Sequence, residues 1–235
     1  MSERHDPRSH WLELPPISAQ AAPRLLIFLH GAGSTPDVFL PIAYRWQLKF
    51  PGATAVLMQG FAAATGIDGY DWFDGSGTAT DRRQRIEDAA LQLADRILLA
   101  QARSGIGAAR TVVIGFSQGA TLALQLARSR PDLAAIVVSY AGQLARPIVS
   151  GEQVSATVHL IHGALDTLVT SVHAVRAHRG LRAIGADVTL DIAEDGSHTL
   201  DRQMIIIGTS RVMQTVFRGR RRPRASFAPA SQQLH

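Results

Sequence analysis

Residues 111–119 read Thr-Val-Val-Ile-Gly-Phe-Ser-Gln-Gly, a β-branched run ending in Gly115-Phe116-Ser117-Gln118-Gly119, and a helix-forming stretch from Ala120 to Arg128 follows at once. The chain must turn from strand to helix within a couple of residues. That holds the serine at strained backbone angles and calls for small residues two positions to either side. Ser117 is thereby pushed out at a strand end and against a helix N-terminus. There, free N–H groups and the helix dipole favour negative charge developing beside its hydroxyl. This is how a nucleophilic serine is presented.

A serine hydroxyl is almost un-ionised at neutral pH, so the nucleophile needs a base and the base needs an acid to orient it. On such a strand–turn–helix framework the partners follow in the order serine, carboxylate, histidine, each from a loop after a later strand. His162-Gly163-Ala164-Leu165-Asp166 follows the apolar run Thr157 to Ile161, and Glu194-Asp195-Gly196-Ser197-His198 follows Val188 to Ile192. Of the nine histidines, His5, His10 and His235 lie near the ends of the sequence, His173 and His178 fall in a helical pattern, and His159 lies in a strand. Only His30, His162 and His198 directly follow strands, and His198 alone comes late enough to be the base. Asp166 is the expected acid, with capping of a helix ahead of Leu168 as its alternative role. Asp191 lies inside a strand, and Glu194 or Asp195 would need their own loop to fold back. An early strand, Leu25 to Leu29, runs into His30-Gly31-Ala32-Gly33-Ser34. The backbone N–H groups of Ala32 in this loop and of Gln118 are the expected oxyanion donors.

Short apolar runs alternate with longer helical patterns. Strands are expected at Arg24 to Leu29, Thr54 to Met58, Thr111 to Ile114, Ala134 to Ser139, Thr157 to Ile161 and Val188 to Ile192. Helices are expected at Asp37 to Phe50, Asp81 to Ala102, Gln118 to Ser129, Leu168 to Ile184 and Leu200 to Phe217. This alternation implies βαβ units in a doubly wound, mainly parallel sheet, with the ligand at the carboxyl ends of its strands. Fewer than 20 residues separate Ser139 from Thr157, too few for a helical lid domain, so the site is expected to be open to solvent.

The sequence has 235 residues, 46% of them apolar, and no cysteine, which excludes disulfides, thiol catalysis and cysteine-based metal sites. With a charged N-terminal stretch and no run of about 18 apolar residues, the chain reads as soluble and cytoplasmic. The net charge of +5 is local. Of the 24 basic residues, Arg218, Arg220, Arg221, Arg222 and Arg224 lie in a terminal stretch with no acid beyond Asp201, and the other 19 balance the 19 acids. Residues 1–23 read as an N-terminal extension and edge segment, 24–217 as one α/β domain, and 218–235 as a disordered Arg-rich tail. That tail could make weak contact with an anionic surface. Specific nucleic-acid recognition is not expected.

Leu29-His-Gly-Ala-Gly33, Gly115-Phe-Ser-Gln-Gly119, His162-Gly-Ala-Leu-Asp166 and the Asp195 to His198 segment together resemble the phospholipase/carboxylesterase family of small α/β-hydrolases, relatives of the acyl-protein thioesterases. The resemblance implies a lidless α/β-hydrolase fold that cleaves carboxylic esters or thioesters of small-molecule or acylated substrates without a cofactor. It also places Tyr70-Asp-Trp-Phe73 where the family has an aromatic motif lining the acyl pocket. Trp72 and Phe73 are therefore the substrate-side candidates, with a packed loop anchor as the alternative. The family generally has Gly directly before the histidine, whereas this chain has Ser197, which would be strained if the loop needed a positive φ there. A hydrolase fold that only binds a small ligand is the competing function.

Overall fold

The computed structural model describes residues 10–220. Nine strands and five α-helices follow in the order β1 (Trp11–Leu14), β2 (Arg24–Leu29), α1 (Leu40–Gln47), β3 (Ala53–Met58), β4 (Ala62–Ala63), β5 (Tyr70–Asp71), α2 (Ala79–Ser104), β6 (Thr111–Phe116), α3 (Gln118–Ser129), β7 (Ile136–Tyr140), β8 (Thr157–Gly163), α4 (Val172–Ala183), β9 (Val188–Ala193) and α5 (Arg202–Arg220). Seven strands form one sheet in the order β1-β3-β2-β6-β7-β8-β9. Every neighbouring pair is parallel except β1 with β3. This is the α/β-hydrolase architecture.

The inner strands read as continuous apolar runs because both faces of the sheet are covered, and successive side chains alternate between two cores. Leu25, Ile27 and Leu29 of β2 pack with α2 and α3, whereas Leu26 and Phe28 pack on the other face with Ala43 and Trp46 of α1 and Met204 and Val212 of α5. Val113 and Val137 follow the first set, Val112, Ile114, Ile136 and Val138 the second.

Strand order reverses between β2 and β6. From β2 the chain steps outward to β3 on one side, then returns to β6 and proceeds through β7, β8 and β9 on the other. A crevice opens at the carboxyl ends of strands where connections diverge in this way. The loop after β2 and the turn after β6 face each other across it.

α2 begins at Ala79, ahead of the expected Asp81. Thr78 accepts a hydrogen bond from the Asp81 backbone N–H and Asp81 bonds back to Thr78, a capping box that places Asp81 in the first turn. α4 begins at Val172, not at Leu168. α5 continues to Arg220, past the expected limit at Phe217, and Arg218 donates to the Thr215 hydroxyl at 3.1 Å. The first residues assigned to a disordered tail are thus helical, and the remainder, 221–235, lies outside the described residues. No helix among the described residues is long and apolar enough to cross a membrane.

Candidate active site

Ser117 occupies the turn between β6 and α3 with φ 53° and ψ −112°, a left-handed backbone that a side-chain-bearing residue rarely adopts. Neighbouring backbone enforces it. The Ser117 N–H donates to the Tyr140 carbonyl at 2.9 Å, and the Ser117 carbonyl accepts from the Thr121 N–H at 3.0 Å and its hydroxyl at 3.2 Å. A Cβ on Gly115 would lie 2.4 Å from the Gly119 carbonyl oxygen, and one on Gly119 would lie 2.4 Å from that of Leu29. Both flanking glycines are required because strand, turn and helix touch through bare backbone.

Asp166 lies in the loop after β8, and its side chain is fully buried. Its two oxygens are used differently. Oδ1 accepts the backbone N–H groups of Leu168 and Val169 at 3.0 and 2.9 Å, while Oδ2 lies 2.7 Å from Nδ1 of His198. The helix cap considered for Asp166 does not form, because α4 starts only at Val172 behind Ser171. Oδ1 instead closes the loop turn while Oδ2 meets the histidine. His162, also buried, places Nε2 3.3 Å from the same Oδ2 and donates to the Val169 carbonyl, closing the loop around the carboxylate.

His198 arrives on the loop after β9. Leu165 N–H donates to the Gly196 carbonyl and Ala164 N–H to that of Ala193, both at 2.8 Å, so the loops carrying Asp166 and His198 are zipped together by backbone. Gly163 makes that approach possible, since a Cβ there would lie 2.2 Å from the Gly196 oxygen. Neither Gly163 nor His162 was singled out as a site residue, although both lie in the motif that contains Asp166. Ser197, standing where a glycine was expected, is not among the positive-φ residues, so it carries no strain of that kind.

The His198 ring completes a line of hydrogen bonds. With Nδ1–H donating to Asp166, Nε2 is left as an acceptor 2.9 Å from the Ser117 hydroxyl. The ring tilts over Phe116 at a 5.1 Å centroid separation. Among the competing acids, Asp191 is engaged by Arg211 at 2.6 and 2.8 Å, and Glu194 and Asp195 are exposed.

The loop after β2 packs on the serine, where a Cβ on Gly31 would lie 3.5 Å from that of Ser117. Buried His30 accepts the Gly60 N–H through Nε2 at 3.0 Å, so Nδ1 carries the proton and donates to the Gly31 carbonyl at 2.7 Å. Burial, the dominant influence, also lowers the His30 pKa and keeps the ring neutral. The Gly31–Ala32 peptide is trans, so with its carbonyl held by His30 the Ala32 N–H points the opposite way. The Gln118 N–H belongs to the first turn of α3, where no intrahelical acceptor exists.

Trp72 and Phe73 are core residues, 2% and 6% exposed, and their burial favours the loop-anchor role over that of an open substrate wall. The Trp72 indole N–H donates to the His30 carbonyl at 2.8 Å. The Gln118 side chain accepts the Trp72 backbone N–H at 2.6 Å and donates to the Phe73 carbonyl at 2.8 Å. One segment thus ties the loop after β2 to the start of α3.

The profile of the phospholipase/carboxylesterase family matches residues 17–210. The chain belongs to this family. Esterase YpfH of Escherichia coli is 34% identical over 196 residues, 83% of this chain and 84% of that protein. Lysophospholipase-like protein 1 of Mus musculus is 25% identical over 192 residues, covering 75% and 80% of the two chains. Among solved structures, esterase PE8 superposes with a TM-score of 0.80 at 27% identity over 87% of this chain and 98% of its own. Acyl-protein thioesterase 2 of Zea mays has a TM-score of 0.70 at 17% identity, over 88% and 98% of the two chains, a likeness of fold. As a member of the phospholipase/carboxylesterase family, the chain is an esterase-type hydrolase.

Proposed function

We propose that the protein is a serine esterase that cleaves carboxylic esters or thioesters through an acyl-enzyme on Ser117. The observation that carries this reading is the line Ser117 Oγ, His198 Nε2, His198 Nδ1, Asp166 Oδ2, with contacts of 2.9 and 2.7 Å. Ser117 Oγ attacks the acyl carbon as Nε2 of His198 takes its proton. Asp166 holds the ring in the tautomer that leaves Nε2 free and offsets the charge of the resulting imidazolium. The Ala32 and Gln118 N–H groups receive the oxyanion. Collapse of the tetrahedral intermediate breaks the bond to the alcohol or thiol, which leaves with the proton from His198. Water then attacks the acyl-enzyme, giving its proton to His198, and Ser117 is released with the carboxylic acid. No cofactor enters the scheme.

A fluorophosphonate probe tests this. It is expected to label the wild type at Ser117 and to leave Ser117→Ala unlabelled, with ester turnover in that variant lower by on the order of 10⁴-fold or more. Labelling that persists in Ser117→Ala would assign the nucleophile elsewhere, and a folded wild type that neither labels nor turns over any ester would leave a ligand-binding hydrolase fold. Asp166→Asn is expected to lower kcat by roughly 10⁴-fold, with Asp195→Asn as the control that keeps near-wild-type activity.

A further inference from the structure

Between α4 and the connection from β7 to β8 lies a cleft of about 450 Å³. Its apolar lining comes from Leu144, Ala145 and Ile148 on one side and Ala177 on the other. A Cβ on Gly180 would lie 3.1 Å from Ile148, so the connection rests directly on the helix. A smaller hollow of about 120 Å³ shares Leu144 and Ala145 with the cleft and continues past Gln143 and Thr121 to Arg82 of α2. Thr121 is the residue that holds the Ser117 carbonyl. The hollow therefore reaches the first turn of α3, the helix that follows Ser117.

The charges along this groove are one-sided. α4 reads VHAVRAHRGLRA, with three arginines, two histidines and no acid. Arg176 and Arg179 line the cleft, and neither has a carboxylate partner among the described residues. Arg82 faces the hollow with a buried Nε that has no hydrogen-bond partner among the described residues. The pKa of His173, which also lines the cleft, is lowered by burial first and then by the charge of Arg176, with Arg82 contributing less. The other two arginines of the rim do have carboxylate partners, Arg146 at Glu152, which it shares with Arg128, and Arg83 at Glu87. Glu152, held down to about 2 chiefly by its hydrogen bonds from Arg128, also fastens the β7–β8 connection to the end of α3. Arg176 and Arg179 at the apolar cleft and Arg82 at the adjoining hollow, none with a carboxylate partner among the described residues, concentrate positive potential where an anion would sit.

We propose that this groove selects esters whose acyl chain ends in an anion, a carboxylate or a phosphate. The chain lies along Leu144, Ala145, Ile148 and Ala177, and the anion meets Arg82, Arg176 and Arg179. This rests on the assignment of Ser117 as nucleophile.

The test compares the p-nitrophenyl half-ester of adipic acid with p-nitrophenyl hexanoate, which has the same chain length and no terminal charge. A phosphonate-ended analogue shows which anion is preferred. The wild type is expected to favour the charged esters in kcat/KM by roughly tenfold, with the margin narrowing in about 0.5 M salt. Arg176→Met combined with Arg82→Met keeps apolar stems while removing charge. The pair is expected to lower the ratio of charged to uncharged kcat/KM by about tenfold through KM, the size expected of lost charge-assisted hydrogen bonds. Arg110→Glu, just before the amino end of β6 and so at the opposite end of the strands from Ser117, is expected to leave the ratio alone. A wild-type ratio at or below one, or a ratio unmoved by Arg176→Glu, overturns the proposal. If Ser117 is not labelled and no ester is turned over, the catalytic assignment fails, and the groove is then judged by calorimetric titration of adipate. Heat of binding that vanishes in Arg176→Glu supports the groove, and absence of heat in the wild type rejects it.

Discussion

Trp72 shows how a residue can serve a reaction it never touches. Its indole N–H fixes the His30 carbonyl, its own N–H is taken by the Gln118 side chain, and His30 fixes the peptide that aims the Ala32 N–H. Both proposed oxyanion donors therefore sit beside contacts of Trp72, one made by its ring and one by its backbone. Trp72→Phe keeps most of the packing and deletes the bond to His30, leaving a buried carbonyl unsatisfied. We expect kcat to fall by about tenfold with KM nearly unchanged, a part of the 10² to 10³ that loss of a whole donor costs; an equal rise in KM would instead point to a pocket-wall role. Residue types and spacing in the sequence single out Ser117, Asp166 and His198 as candidates, because each follows a strand of clear pattern, and their side chains do lie in one line of hydrogen bonds. They could not say which way Trp72 faces, because β5 spans only Tyr70–Asp71, too short for a period-two pattern to reveal its inner face.

Among the elements, the seam between β8, β9 and α5 is pinned by a buried histidine. His159 of β8 bonds Thr189 of β9 at 2.8 Å through Nδ1 and Thr215 of α5 at 3.1 Å through Nε2. Its pKa is lowered from 6.5 to about 4, mainly by burial. The folded protein therefore holds this ring neutral where the unfolded chain would protonate it, so the unfolded state binds more protons between those two values. Stability should accordingly fall as pH drops from the ordinary histidine range toward 4, by at most about 3 kcal/mol from this group. His159→Gln can keep hydrogen bonding without titrating, and thermal melts from pH 7 to 4.5 are expected to show a shallower decline for it than for the wild type. Parallel slopes would remove His159 from the account. The apolar runs announced the six parallel strands well, because burial on both faces makes each one continuous. β1 and β4 were harder to see. Trp11–Leu14 is a four-residue edge followed by Pro15 and Pro16, and Ala62–Ala63 is a two-residue bridge that owes its geometry to Tyr70–Asp71.

At the scale of the molecule, the doubly wound order decides who meets whom. The oxyanion loop and the elbow belong to neighbouring strands β2 and β6, where the winding reverses, while the acid and the base come from β8 and β9 at the far side. Chain order and strand alternation were sufficient to anticipate the parallel sheet. The reversal itself depends on which side of β2 receives β3, a choice made by long-range packing and not by local pattern.

The three tryptophans lie toward the β1 end of this sheet, Trp11 and Trp72 over one face and Trp46 over the other. Trp11 is on β1, Trp46 on α1 and Trp72 against His30 at the end of β2, whereas His198 hangs from β9, the opposite edge, which pairs on one side only. Edge elements open at lower free energy than central ones. Intrinsic fluorescence therefore watches one end of the molecule while turnover watches the other. In a urea titration, esterase activity is expected to disappear at a lower denaturant concentration than the tryptophan signal, leaving a window of folded but idle protein in which β9 has let go of its histidine. Coincident curves would mean that this edge opens only when the whole domain does.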